Sequence, residues 1–340
     1  MTEITAAETA SKKGTPRKRR IRSFLHKNKD FLRKNYTGWL FNLPLAIGIL
    51  VFTLIPMVFS LIMSFYKSPQ WVFSPSDWMG EFVGFQNYKK ILTSPLAGFI
   101  AKNTFLYVII SVPLGLVASY FLALLVNNEK RRGTKLFRIL YYLPCMIPAA
   151  AGAIIWKKLT ALNVQRTDGT FFNGLFNEIL AFFGGTPFRW HDEEDFRALL
   201  SIIFYGLWGT GGGMILWLSA FKSIDKQFYE AADIEGASKI RKLVSITLPM
   251  STPMIFYNLI MSVIGTIQST APLTYGHDGS GGASDALNML GLRIYYLSFG
   301  GDATSYGRAT ALAWITLLIV GVLTAILFKT SKWVYYGDES

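Results

Sequence analysis

Tyr229-Glu230-Ala231-Ala232-Asp233-Ile234-Glu235-Gly236, running on to Ile246-Thr247-Leu248-Pro249, is a charged interruption between two apolar segments. The stretch from Lys226 to Ser238 reads as a short helix. Phe228, Ala231 and Ala232, with Ile234 close to the Gly236 turn, give it one small, weakly apolar face. Ala231 and Ala232 let a second surface approach closely, and Gly236 lets the chain turn sharply. Pro249 and Pro253 suit the first turn of the following helix, where a missing N–H costs little. A small-faced helix between two apolar segments is a docking element, and this reading puts its partner in the cytosol.

The surrounding composition fits a chain that lives in lipid. Of 340 residues, 51% are hydrophobic and 15% aromatic, while only 16% are charged. The net charge of +13 would suggest nucleic acid in a soluble protein. Here the basic residues cluster at the ends of apolar runs, which is the pattern of membrane topology, so no nucleic-acid partner is expected. One cysteine, Cys145, excludes an internal disulfide framework. His26, His191 and His277 are too far apart for a metal-ligand pattern. No phosphate-loop motif is present, so the chain is not expected to bind ATP itself.

Six apolar spans can be read: Trp39–Phe65, Thr104–Val126, Leu136–Trp156, Ala198–Phe221, Met254–Leu273 and Ala309–Phe328. Each is close to the ~20 residues a helix needs to cross ~30 Å of hydrocarbon. Nothing alternates at period two over ~10-residue segments, so a barrel is excluded. Pro44, Pro56, Pro113, Pro144 and Pro148 lie inside spans, where neighbouring helices can re-satisfy the freed carbonyls. The expected fold class is all-α, a polytopic membrane protein with six transmembrane helices. No span carries Asp, Glu, Lys, Arg or His away from its ends. Ion-driven carriers use such groups, and a membrane hydrolase needs a base and nucleophile at depth. Neither class fits, and no catalytic residue, metal site or cofactor is expected.

Counting basic residues orients the spans. With the N-terminus inside, cytosolic segments, together with Arg138 at the cytosolic end of the third span, hold 23 of the 34 Lys and Arg, although the outer segments are together longer. Both termini and the Glu230 loop are thereby assigned to the cytosol. Residues 1–38 form a basic tail with two readings: a disordered segment, or, from Arg22 onward, an amphipathic helix on anionic lipid with Ile21, Phe24, Leu25, Phe31 and Leu32 on one face. Residues 39–328 form the transmembrane domain, with the cytosolic loop at 222–250, and 329–340 a short cytosolic tail. In the outer loop 157–197, Phe171–Leu175 and Ile179–Phe183 read as short interfacial helices, and Asp192-Glu193-Glu194-Asp195 as a solvated turn.

The spacing in the opening stretch resembles the coupling loop of inner-membrane permease subunits of binding-protein-dependent ABC importers. Its fixed positions are met by Glu230, Ala231, Ala232, Gly236, Ile246, Leu248 and Pro249. Phe82-Val83-Gly84-Phe85-Gln86-Asn87-Tyr88 and Leu143-Pro144-Cys145-Met146-Ile147-Pro148 resemble further stretches of the carbohydrate-uptake, maltose-type branch. The likeness covers roughly residues 38–330. Two departures stand out: Thr274 to Gly282 replaces the usual Thr-Gly-Gly-Gly-Pro, and the large outer domain of the maltose relative is absent.

The resemblance implies a type I importer permease fold and a set of partners. These are a second, different permease, two ATP-binding subunits and an extracellular solute-binding protein, all within the bilayer system of the cytoplasmic membrane. ATP hydrolysis would reside in the partners and sugar or oligosaccharide would pass through the permease pair. By alignment on the same motifs, the sugar-contact positions fall on Cys145, Ala149, Tyr205, Trp208, Gly209, Gly265 and Gln268. Several of these differ from the relative's larger polar or aromatic residues. Two readings therefore stand: a substrate site in this subunit, or a lined pathway with recognition left to the binding protein. The same architecture for another solute such as a glycerol phosphate, a stand-alone facilitator or ion-coupled carrier, and a basic membrane anchor are the alternatives.

Overall fold

A computed structural model describes residues 36–67, 80–127, 132–165, 169, 171–191, 196–275, 279–280, 285–300 and 305–335. The tail reading at Arg22–Leu32 and the acidic run 192–195 lie outside the described residues. The chain divides into two units, Met1–Ser60 and Leu61–Ser340.

The first unit contains α1 (Tyr36–Ile49) and the start of α2 (Ile55–Met63), joined by a wide π turn at Leu50–Leu54. Ile55 N–H reaches back to the Leu50 carbonyl. The wide turn falls immediately before Pro56, whose ring lacks an N–H and cannot continue an ordinary ladder. Leu40–Met63 is nonetheless long and apolar enough to cross a membrane.

In the second unit the first span ends in a short strand, β1 (Tyr66–Lys67), antiparallel to β2 (Glu81–Phe82). Then follow α3 (Gln86–Leu92) and α4 (Pro95–Val126). Helix α4 starts at Pro95, well before the expected Thr104, because Ser94 Oγ accepts from Leu96 N–H at 3.3 Å and Pro95 occupies the first helical turn. Its 32 residues span about 48 Å, so it extends past a ~30 Å hydrocarbon core. Three apolar clusters line up along it. One joins Ile100 and Val112 to Val263, Ile267, Leu297 and Leu312. A second joins Tyr107 to Trp156, Leu199, Ile202 and Ile203, and a third joins Ala123 and Val126 to Met214, Trp217 and Phe221. Trp217, only 1% exposed, donates Nε1–H to Ser119 Oγ at 2.9 Å, which satisfies the indole within the apolar contact.

Two expected spans prove to be broken, and another follows a bend. The third is α5 (Thr134–Met146) and α6 (Ala149–Leu159), meeting at 101°. Ile147 is extended (ψ 128°) and Pro148 opens the next helix, as the steric demand of proline on its predecessor requires. The fourth is α8 (Phe196–Trp208) and α9 (Gly211–Ser223), bent by 48° around Gly209-Thr210. A Cβ on Gly211 would overlap the Tyr141 carbonyl oxygen. Only glycine lets α9 pass this close to the backbone of α5. The fifth follows a 62° bend between Met250 and Thr252 and ends at Ile267, not Leu273. Its helix α12 (Thr252–Ile267) gives way to a 3-10 turn at Ala271–Tyr275. The sixth, α14 (Tyr306–Lys329), is one continuous helix.

Two expectations for the loops are corrected. Phe171–Phe172 is a strand, β4, paired antiparallel with β3 (Val164–Gln165), and only α7 (Leu175–Phe182) is helical. Asn177 holds this outer loop together. Fully buried, its Nδ2 donates to the carbonyls of Ala161 at 2.9 Å and Phe188 at 3.1 Å, and its Oδ1 accepts from Trp190 Nε1 at 3.0 Å. The segment 274–308, read as a loop, contains a packed helix α13 (Leu290–Phe299) whose N-terminal Leu290 N–H is capped by Thr104 Oγ1 at 3.0 Å. Asn87, within the stretch 82–88, ties the end of the first span in place. Its Nδ2 donates to the Ser64 carbonyl at 2.9 Å and the Tyr66 carbonyl at 2.8 Å.

Candidate coupling surface and substrate pathway

The docking stretch folds from local rules. Asp225 caps α10 (Lys226–Ile234), its Oδ1 accepting from Gln227 N–H at 3.0 Å. At the other end Ala237 N–H bonds to the Ala232 carbonyl at 2.8 Å and Gly236 N–H to the Asp233 carbonyl at 3.1 Å. Gly236 sits at φ +73°, so the helix ends in the left-handed glycine turn that satisfies its last carbonyls. The next helix, α11 (Lys239–Lys242), is capped by Ser238 Oγ and passes into a π turn at Leu243–Thr247 and a single turn at Leu248–Met250. Pro249 and Pro253 both occupy first turns.

The surface that results is apolar and, among the described residues, unfilled. Ile234 is 89% exposed, Ile240 74% and Phe228 51%. Beside Phe228, a groove of 220 Å³ is lined by Ser245, Ile246, Pro249, Met250 and Tyr335. Glu230 and Ala231 are exposed, Ala232 is half-buried, and Leu248 is 41% exposed. Of the seven motif positions, Ile246 and Pro249 therefore line the groove, Glu230 and Ala231 present the outer face, and Gly236 makes the turn. Tyr335 and Met250 also line the groove and were not singled out from the sequence. Tyr335 is brought there because its N–H bonds to Thr252 Oγ1 at 2.8 Å, a contact between distant parts of the chain that no local pattern encodes.

A line of hydrogen bonds leads away from this surface. Tyr229 Oη and Thr247 Oγ1 are 2.9 Å apart, Ser251 N–H bonds to the Thr247 carbonyl at 3.0 Å, and Ser251 Oγ meets Tyr120 Oη at 3.1 Å. Tyr120 belongs to α4, the helix shared by all three apolar clusters.

The seven candidate pathway residues do not form one pocket. Ala149, Tyr205 and Trp208 gather around Trp156: Tyr205 Oη donates to the Ala149 carbonyl at 3.3 Å, and the rings of Tyr205 and Trp208 lie 5.7 and 6.2 Å from that of Trp156. Cys145 is exposed at the end of α5, with Sγ donating to the Tyr142 carbonyl at 2.9 Å. Gly209 is the bend between α8 and α9. Gln268 is exposed and ends α12, its backbone carbonyl packed against Gly291. Gly265 alone lines a cavity of 270 Å³ among α4, α8 and α12, beside Tyr107, Ser111, Gly206, Ser262 and Thr266. Tyr107 and Ser111 were missed from the sequence. Both lie on α4, where Thr104, Tyr107 and Ser111 fall on one helical stripe, the signal that could have found them. The cavity lining is neutral and rich in hydroxyls, so it can exchange hydrogen bonds with a polar solute but holds no charge for an ionic one. Among the described residues no cluster of side chains is suited to a metal ion.

Comparison with known proteins agrees with this architecture. Residues 111–333 match the family described as the binding-protein-dependent transport system inner membrane component. The chain is 34% identical over 324 residues to the probable ABC transporter permease protein YesP of Bacillus subtilis, covering 93% of the chain and 97% of that relative. It is 30% identical to the lactose transport system permease protein LacF of Rhizobium radiobacter, over 90% of the chain and 98% of LacF. It shares its fold with a bacterial ABC transporter involved in the import of the acidic polysaccharide alginate, at a TM-score of 0.70 and 21% identity, over 90% of the chain and 98% of that structure. A pattern of apolar spans, a capped docking helix and a match over most of the length converge: the chain belongs to the inner membrane components of binding-protein-dependent transport systems.

Proposed function

We propose that this permease passes a sugar or oligosaccharide across the cytoplasmic membrane, together with a second, different permease. Two ATP-binding subunits on the cytosolic side supply the energy and an extracellular binding protein delivers the solute. The observation that carries the substrate class is the neutral, hydroxyl-lined cavity around Tyr107, Ser111, Ser262 and Thr266. Hydroxyl partners suit a neutral polyol surface. Relatives named for lactose and for trehalose and maltose transport support the same reading. A relative at 29% identity is named for sn-glycerol-3-phosphate; the absence of a cation in this cavity lining weighs against a phosphate ester here.

On this reading both termini and the loop 222–250 face the cytosol, and α10 inserts into a groove of the ATP-binding partner. Residues 1–38, 39–328 and 329–340 serve as tail, transmembrane domain and tail. Closure of the ATP-binding pair moves α10, and the bonds Tyr229–Thr247 and Ser251–Tyr120 pass that displacement to α4, which borders the cavity. Glu230, Ala231, Ala232, Gly236, Ile246, Leu248 and Pro249 are the coupling residues. Tyr205, Trp208, Gly265 and Gln268 line the route of the solute, with Cys145, Ala149 and Gly209 at its bends.

The test is uptake in proteoliposomes containing the full complex, with ATP enclosed and the binding protein outside. Neutral oligosaccharides should accumulate only with ATP and binding protein, and a glycerol phosphate should not compete. Competition by the phosphate ester, or uptake independent of ATP, would overturn the reading.

A further inference from the structure

Three basic side chains serve neither the coupling surface nor the solute cavity. Lys90 lies in the last turn of α3, Arg293 in α13 and Arg308 in the first turn of α14, and all three line one groove of 180 Å³. Arg293 is fixed there: its Nη1 donates to the Gly279 carbonyl at 2.7 Å and its guanidinium lies 4.9 Å over the Tyr296 ring. Burial pulls its pKa below the usual arginine value, and the charge of Arg308 acts in the same direction. Arg293 and Arg308 thus share the lining of one groove.

The floor of the groove is apolar and has a direction. Leu312, Ile315 and Ile319 line it and, with Arg308, fall on one stripe of α14 at helical spacing. From Arg308 to Ile319 the helix advances about 16 Å, close to half of a ~30 Å hydrocarbon core. A cationic rim at one end of a membrane helix, with an apolar track one leaflet long beneath it, matches a phospholipid in both chemistry and length.

We propose that this groove binds one anionic phospholipid, its phosphate among Lys90, Arg293 and Arg308 and an acyl chain along Leu312, Ile315 and Ile319. A soluble anion would satisfy the rim and leave the track empty. An apolar helix from a neighbouring subunit would cover the track but bring no anionic group to the rim. The lipid does both. The site is independent of the solute reading.

The experiment is native mass spectrometry of the full transport complex after exchange from nanodiscs of phosphatidylglycerol or of phosphatidylcholine. The wild type should retain one phosphatidylglycerol at this site and no phosphatidylcholine. Lys90→Gln, Arg293→Gln and Arg308→Gln combined should lower retention about a hundredfold, taking each cation near an anionic surface as worth about a factor of five. Ile315→Trp keeps the charges and fills the track, and guards against a misfolded triple variant; it should also lose the lipid. Ten-fold excess inorganic phosphate should not displace the lipid. Equal retention of the two lipids, retention by Ile315→Trp, displacement by phosphate, or no lipid on the wild type would each overturn the proposal.

Discussion

Replacing Gly236 separates the turn from the docking surface. Gly236 sits at φ +73°, and apart from its immediate neighbours no atom of the described residues lies within 4 Å of where a Cβ would stand. A side chain there therefore meets no internal clash, and its intramolecular cost is the left-handed backbone alone, about 1–2 kcal/mol for an L residue. Asn and Asp tolerate that region better than most, so Gly236→Asn and Gly236→Asp should both reach the membrane at near-normal levels. The partner sees a different change. Asp adds bulk and a charge to a surface of Ile234, Ile240 and Phe228, all more than half exposed. Burying that charge against an apolar groove without a counter-ion costs several kcal/mol, so affinity for the ATP-binding subunit should fall at least tenfold, or about 1.4 kcal/mol. The assay is co-purification of that subunit, with uptake and membrane abundance measured on the same cells. Gly236→Asp should lose uptake and partner, and Gly236→Asn should keep most of both. Full uptake and co-purification by Gly236→Asp would refute the docking role, and disappearance of both variants from the membrane would refute the claim that the turn absorbs them.

Cysteines at Ser280 and Ser238, both exposed, test orientation: a membrane-impermeant thiol reagent applied outside should label the first and spare the second, and reverse labelling would sink the topology. Gln268→Leu and Trp208→Ala should alter apparent affinity or solute range with assembly intact; unchanged profiles for both would leave recognition to the binding protein. Tyr229→Phe removes one hydrogen bond to Thr247, about 0.5–1.5 kcal/mol, so it should leave abundance unchanged while lowering ATP-driven uptake several-fold; wild-type uptake would break the proposed linkage. Asn177→Leu strands the Phe188 carbonyl and the Trp190 indole, while the Ala161 carbonyl keeps Gly174 N–H, at about 1–3 kcal/mol per orphan. Limited proteolysis of the outer loop should accelerate sharply, and an unchanged cleavage rate would show that Asn177 does not hold that loop.

Neighbours along the chain dictate the features that can be read without coordinates. The six apolar runs, the Asp225 cap, the Gly236 turn and the proline-led helix starts all depend on a few adjacent residues, and they appear where those residues require them. Ser94-Pro95 carries the true start of α4 equally plainly, whereas the apolar run alone points to Thr104. The pathway is less legible. In a membrane protein the face toward lipid and the face toward neighbouring helices are both apolar, so periodicity does not separate them. Hence Tyr107 and Ser111 cannot be assigned to a cavity until α4 meets Ser262, Gly265 and Thr266 of α12. Pro148 and Gly209 signal bends but not their angles of 101° and 48°, since a hinge fixes where a helix breaks and the packing on either side fixes how far it turns. The helix α13 hides in an apparent loop because it is too short to span a bilayer and is secured by Thr104, 186 positions away. Cavity, bend angles and buried outer helix all wait on the packed spans, because each depends on groups that meet only there.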